Sequence, residues 1–203
     1  GFGDAANSFT VTVAEVPAPA NDTCANAEAI ASLPAAATPV LIGATDDADV
    51  ACNSGTATSL KNAVWYSFTP ADSGNLLVGE TSATDVVIAL YTGTCGSLSE
   101  VACSDAEPAS FAVTSGTPYL IAVGLYSATS TATNTPLALT FEMPLPPYND
   151  DCESAEALTT SPVTVDARGA SDDAIVEPTC DAGTAGANNG VWYSYSTGVD
   201  GGT

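Results

Sequence analysis

The side chains able to do chemistry in this 203-residue chain are carboxylates and thiols. It carries 24 Asp and Glu against two basic residues, Lys61 and Arg168, with six cysteines and no histidine. Without histidine, the usual activation of a serine or cysteine nucleophile is excluded within this segment. Carboxylate acid–base chemistry remains. Asp72-Ser73-Gly74 has the local form of an aspartic-protease triplet, but a triplet without its structural context is a weak motif. The matching stretch further along reads Asp200-Gly201-Gly202, which keeps the turn residues and drops the serine. A β-turn explains both. There is no Walker-type loop and no dinucleotide fingerprint, so the chain reads as non-enzymatic.

Cation binding is the sharper use for so many carboxylates, because hard cations take several oxygen ligands from side chains and loop carbonyls. Asp46, Asp47 and Asp49 cluster in one stretch, and Asp172 and Asp173 repeat the first two. Asp85 and Asp105 flank the Cys95–Cys103 stretch and are candidates for a second site. These seven residues carry the expectation of bound calcium. A formal charge of −22 repels phosphate backbones and anionic membranes, whose recognition needs several cationic contacts. Nucleic acid is excluded as a partner, and no stretch approaches the length of a bilayer-spanning apolar run.

Six cysteines of regular spacing read as disulfides in an oxidising, extracellular or cell-surface setting. Cys24 and Cys52 are 28 apart, as are Cys152 and Cys180. That spacing predicts the pairs Cys24–Cys52, Cys152–Cys180 and Cys95–Cys103. A zinc site has no support, since there is neither His nor Cys-x-x-Cys. Trp65 and Trp192 sit in apolar runs and read as core before they read as sugar platforms. Asn21-Asp22-Thr23 is a glycosylation sequon, making Asn21 a candidate acceptor, although its echo Asn149-Asp150-Asp151 lacks it.

The elements that must position these residues come in repeated order. Asn21-Asp22-Thr23-Cys24 returns as Asn149-Asp150-Asp151-Cys152, an offset of 128. Gly43-Ala44-Thr45-Asp46-Asp47 returns as Gly169-Ala170-Ser171-Asp172-Asp173, and Val64-Trp65-Tyr66-Ser67-Phe68 as Val191-Trp192-Tyr193-Ser194-Tyr195. Such a period defines the architecture before any single element does. Residues 1–20 read as the final strand (8–13) and linker of one unit, 21–147 as a whole unit, and 148–203 as the first part of the next. Val16-Pro17-Ala18-Pro19 and Met143-Pro144-Leu145-Pro146-Pro147 are short stiff joints. Inside the unit, a short helix follows Asp22 or Thr23 as its cap. Strands follow at 40–43, 64–68, 75–80, 85–92, 100–103, 110–113, 119–123 and 137–141. Val64, Tyr66 and Phe68 share one face of their strand and Trp65 the other. The pattern specifies an all-β chain of tandem antiparallel β-sandwich domains, jelly-roll-like, with one short helix per repeat.

Several motifs together resemble a known module. They are Asn-Asp-x-Cys-x-x-Ala, then Gly-x-Thr-x-x-Ala, then Trp-Tyr-Ser-Phe-Thr-Pro, then Asp-Val-Val-Ile-Ala-Leu-Tyr-Thr-Gly-Thr-Cys, and finally Val-Ala-Cys-Ser-Asp. The set resembles the pre-peptidase C-terminal-like β-sandwich repeats of large secreted and surface proteins of bacteria. The resemblance implies a non-catalytic accessory or structural module, in some relatives stabilised by calcium. With the repeat, it leads to the expectation of a surface stalk, adhesin or filament subunit whose partners are neighbouring repeats and copies of itself. The alternative is a carbohydrate- or substrate-binding accessory module of a secreted hydrolase, with glycans as partners.

Overall fold

The computed structural model describes residues 10–11, 15–47, 50–52, 60–126, 131–171 and 190–196. The strand expected at 8–13 falls largely outside them. Within the whole unit the strands are β1 (Glu28–Ala29), β2 (Ala35–Ala37), β3 (Lys61–Phe68), β4 (Gly74–Glu80), β5 (Val86–Thr94), β6 (Ser97–Ser104), β7 (Ala109–Val113), β8 (Tyr119–Leu125) and β9 (Leu139–Glu142). Two short strands follow in the next stretch, β10 (Glu156–Ala157) and β11 (Tyr193–Ser194).

The strands form a five-stranded sheet of order β1-β3-β8-β5-β6 and a four-stranded sheet of order β2-β9-β4-β7. From β3 onward the chain changes sheet at every connection except the β5–β6 hairpin, the alternation of a jelly-roll-like sandwich. Period-2 side-chain alternation then decides what is buried. Val64, Tyr66 and Phe68 of β3 meet Leu76 and Val78 of β4, Ile88 and Leu90 of β5, Phe111 of β7, Ile121 and Val123 of β8 and Phe141 of β9 in one inter-sheet core. The rings of Tyr66 and Phe141 stand 5.1 Å apart across it. The run Val86–Leu90 is apolar on both faces because β5 is an interior strand with both faces covered: Val86, Ile88 and Leu90 meet the second sheet, and Val87 and Ala89 lie under a second cover.

That second cover is a loop layer. Val50, Leu60, Ala63, Trp65, Val87, Ala89, Tyr91 and Ala122 form a separate buried cluster on the outer face of the five-stranded sheet. Among the described residues, the layer is supplied by Asn21 to Ala27, Ala44 to Asp47, Val50 to Cys52 and Leu60, hereafter the strap.

Three local expectations differ from the structure. The short helix is a single 3-10 turn, Cys24–Asn26, and neither Asp22 nor Thr23 caps it with a side chain. Asp22 is instead committed to the strap, where Oδ1 accepts from the backbone N and the Oγ1 hydroxyl of Thr45. Residues 40–43 are not a strand. Leu41 plunges into the inter-sheet core, and the chain then turns at Gly43, which sits at φ 86°. The sheets are also not wholly antiparallel, since β1 runs parallel to β3 with Glu28 opposite Tyr66. In the next stretch, a 3-10 turn Cys152–Ser154 precedes β10, which pairs parallel with β11 and places Glu156 opposite Tyr193.

Candidate functional site

The cysteines work on the strap, and they correct the predicted pairing. Cys24 bonds Cys95, and Cys52 bonds Cys103. Neither the Cys24–Cys52 nor the Cys95–Cys103 bond is formed. Cys95 lies in the β5–β6 turn and Cys103 in β6, so each bond ties the strap to the edge hairpin of the five-stranded sheet. The 28-residue spacing marks two strap positions, not two partners. Cys152 is exposed and is not bonded among the described residues. Cys180, its predicted partner, lies outside them.

The repeated Asn-Asp pair has a structural task. Asn21 is buried, its Nδ2 donates to the Trp65 carbonyl at 3.0 Å, and its own carbonyl accepts from Trp65 N at 2.8 Å. At the expected glycan acceptor Asn21, the nitrogen a sugar would occupy is thus a buried donor. Asn149 makes the same pair of bonds with Trp192. Trp65 is 1% exposed, so it is core and not a sugar platform. Its Nε1 donates to Asp47 Oδ2, and its ring stands 5.6 Å from that of Tyr91.

The candidate calcium ligands are placed as follows. Asp46 accepts from Lys61 Nζ and from the amide of Asn62. The Lys61 contact holds its carboxyl below the usual range. Asp47 accepts from Trp65 as above. Both carboxylates are thus engaged within the unit: one pairs with the lysine and one anchors the indole. Asp49, Asp172 and Asp173 lie outside the described residues. Asp85 and Asp105 do come into each other's field, for burial and the Asp85 charge together raise the Asp105 carboxyl. Among the described residues, no group of three His, Cys, Asp or Glu side chains is assembled as a metal site.

Two further carboxylates at that end of the sandwich were not singled out from sequence. Continuing the β4–β7 register of Val78 opposite Ala109 puts Glu80 opposite Glu107. Glu80 is buried at the end of β4. Its Oε1 accepts from Ser82 N and Ala138 N, while Oε2 is buried with no hydrogen-bond partner. Glu107 is pushed up to about 7 by partial desolvation first, then by the charges of Glu80 and Asp85, against an opposing hydrogen bond from Val86 N. The available signal was an acidic residue closing the apolar run Leu76-Leu77-Val78.

At the opposite end lies a cavity of about 710 Å³, lined by Phe68, Asp72, Asn75, Met143, Leu145 and Ser171 among others. It joins the whole unit to the stretch that follows. Asp72-Ser73-Gly74 forms part of its wall as a turn, where Ser73 Oγ accepts from Ser115 N and Ser115 Oγ donates to the Ala71 carbonyl. The floor includes Gly169, whose missing side chain admits the joint: a Cβ there would overlap the Leu145 carbonyl oxygen and come within 2.6 Å of that of Pro144. Asp150 meets Ser171 N at 2.7 Å and Ser171 Oγ at 3.0 Å, the counterpart of Asp22 on Thr45.

A family model described as galactose binding domain-like, and T9SS-associated by its label, matches residues 20–138 and again 148–203. No curated protein and no solved structure matches the chain. The matched family shares the β-sandwich expected from the pre-peptidase C-terminal-like resemblance. No helix among the described residues is long and apolar enough to cross a membrane.

Proposed function

Because the chain belongs to the T9SS-associated galactose-binding-domain-like family, we propose that it is an extracellular, non-enzymatic stretch of tandem β-sandwich units serving as a stalk or filament segment. The observation that supports this most is the reuse of one docking arrangement. Asn21, Asp22 and Gly43 in one unit, and Asn149, Asp150 and Gly169 in the next, seat the incoming Pro-rich joint and the strap in the same way. A module chosen for catalysis would place its repeated polar residues around a reacting centre. Here they are spent on fastening each unit's own loop layer beside the notch that seats the joint. The strap disulfides suit an oxidising exterior. Calcium belongs to the proposal as a stabiliser at the Asp85–Asp105 end, where extracellular sites of modest affinity suffice.

Electron microscopy of the full-length protein tests the proposal. Elongated stalks or fibres with a regular step of one or two units are expected. Compact particles in which the units fold back on a globular body would overturn it. Calcium is checked separately, by a rise in Tm on adding the ion and its loss with a chelator; an unchanged Tm removes the ion from the reading.

A second reading, glycan binding, draws on the family description and on the joint cavity. It predicts saccharide binding that weakens on Asp72→Ala or Asn75→Ala with the fold intact. Trp65→Ala is not a test of it, because that ring is buried.

A further inference from the structure

The candidates across the molecule are the joint cavity, the carboxylates at the far end, the exposed Cys152 and the joint itself, and the joint is carried furthest by contacts. We propose that the joint between consecutive units is a rigid interface: the Pro-rich stretch is seated in a glycine notch of the unit that follows, and Arg168 locks it to β9 of the unit before. The proposal rests on the tandem-unit reading above.

The stretch has almost no slack. β9 ends at Glu142, and Met143 packs directly against the inter-sheet core. Pro144 and Leu145 lay their carbonyls on Gly169. The Pro147 carbonyl accepts from Asp150 N at 3.1 Å, and Asn149 is bonded to Trp192. Pro146 and Pro147 have φ fixed by their own rings. A flexible linker needs consecutive residues with free backbone torsions, and this stretch provides none of useful length.

Charge placement supports the same conclusion. Lys61 and Arg168 are the chain's two basic residues, against 24 acidic ones. Lys61 is used inside its unit, on Asp46. Among the described residues, Arg168 is the cation that bridges units: Nη1 meets Glu142 Oε2 at 2.9 Å, and Nη2 meets Asp166 Oδ2 at 2.8 Å. Adjacent acidic units repel, and the one cation available to oppose that stands at their junction. The earlier joint reuses the notch without the lock. Gly43 receives the carbonyls of Val16 and Pro17, at 3.1 and 2.8 Å from where a Cβ would stand, while the position matching Arg168 is Ile42. The notch is therefore general to the units, and the ion pair is particular to one junction.

Limited thermolysin digestion of the full-length protein tests this, because Leu145 is 87% exposed and is a preferred cleavage residue, yet a docked backbone cannot enter a protease. Wild type resists cutting before Leu145. Gly169→Val, which expels the stretch, speeds that cut by about tenfold or more. Arg168→Glu speeds it by about two- to fivefold at low salt and less at high salt, since its partners are exposed. Wild-type cleavage at Leu145 as fast as in Gly169→Val overturns the proposal. If Gly169→Val is cut throughout residues 148–203, its unit has unfolded, and Arg168→Glu decides: no gain in cutting at Leu145 overturns the rigid joint. Particles without stalks in the microscope would sink the stalk reading while leaving this digestion result standing, so the two failures are distinguishable.

Discussion

The five-stranded sheet is covered on its two faces by different means. On the inner face, a second sheet supplies Leu76, Val78, Phe111 and Phe141, and apolar burial alone is sufficient cover. On the outer face the cover is an irregular strap with few large apolar side chains of its own, chiefly Val50 and Leu60. Loops cannot bury backbone polar groups without partners. The strap is accordingly fastened by two disulfides, by the Asn21–Trp65 pair, by Asp22 on Thr45 and by the Trp65–Asp47 bond. The residues that recur most visibly in the sequence are these fasteners. Repetition of polar residues thus marks where a fold needs covalent and hydrogen-bonded help, and here it does not mark a reacting centre.

Reducing the disulfides should break the comparison most sharply. The bonds span separations of 71 and 51 residues, which in the loop-entropy model is worth about 4 kcal/mol for either one alone. The strap should open, with new protease cuts in 44–60, while the inner core holds at lower denaturant midpoint. Simultaneous collapse of both faces in urea titrations would show that they are one cooperative unit.

Single truncations compare the faces next. Trp65→Ala should cost about 4 kcal/mol and Ile121→Ala about 3 kcal/mol by denaturant unfolding. In a chain already reduced, the Trp65 cost should shrink, because the strap has left, and the Ile121 cost should persist. Equal costs before and after reduction would contradict a detachable strap. Asn21→Ala should cost about 1–2 kcal/mol, because it removes a buried donor and leaves the Trp65 carbonyl unpaired.

The smallest effect belongs to the rim shared by both sheets. Glu107 has its folded value raised from 4.5 to about 7, so the folded protein holds that proton more tightly than the unfolded chain. Its contribution is fully present below about pH 4.5 and is lost as pH rises through 7. Glu107 is exposed, which keeps the effect small. Tm should fall between pH 5 and pH 8, and Glu107→Gln should flatten that fall. Glu80→Gln should bring the Glu107 carboxyl down, read by NMR titration. An unchanged pH profile in Glu107→Gln would assign the fall to general charge repulsion.

Much of the sandwich was legible because alternation is a local property. The β3 run Val64–Phe68 declares both of its faces, and the doubly apolar Val86–Leu90 declares an interior strand. The expected strand at 40–43 misled because Val40-Leu41-Ile42 is apolar for a different reason: Leu41 is an isolated plug, and Gly43 must turn to receive the joint. The glycosylation sequon at Asn21 was a true pattern on a buried amide. Glu80 and Glu107 meet only through strand register, which residues 27 apart do not announce.

Composition and period by themselves determined an acidic, disulfide-bonded, all-β chain without histidine chemistry, since those follow from residue counts and from spacing along one strand. Which cysteines bond, what covers Trp65, and where the joint rests were decided only in three dimensions. Each depends on which surface the strap crosses, and that choice belongs to the packing of distant segments. A disulfide records proximity in space, and equal spacing in sequence carries no information about it.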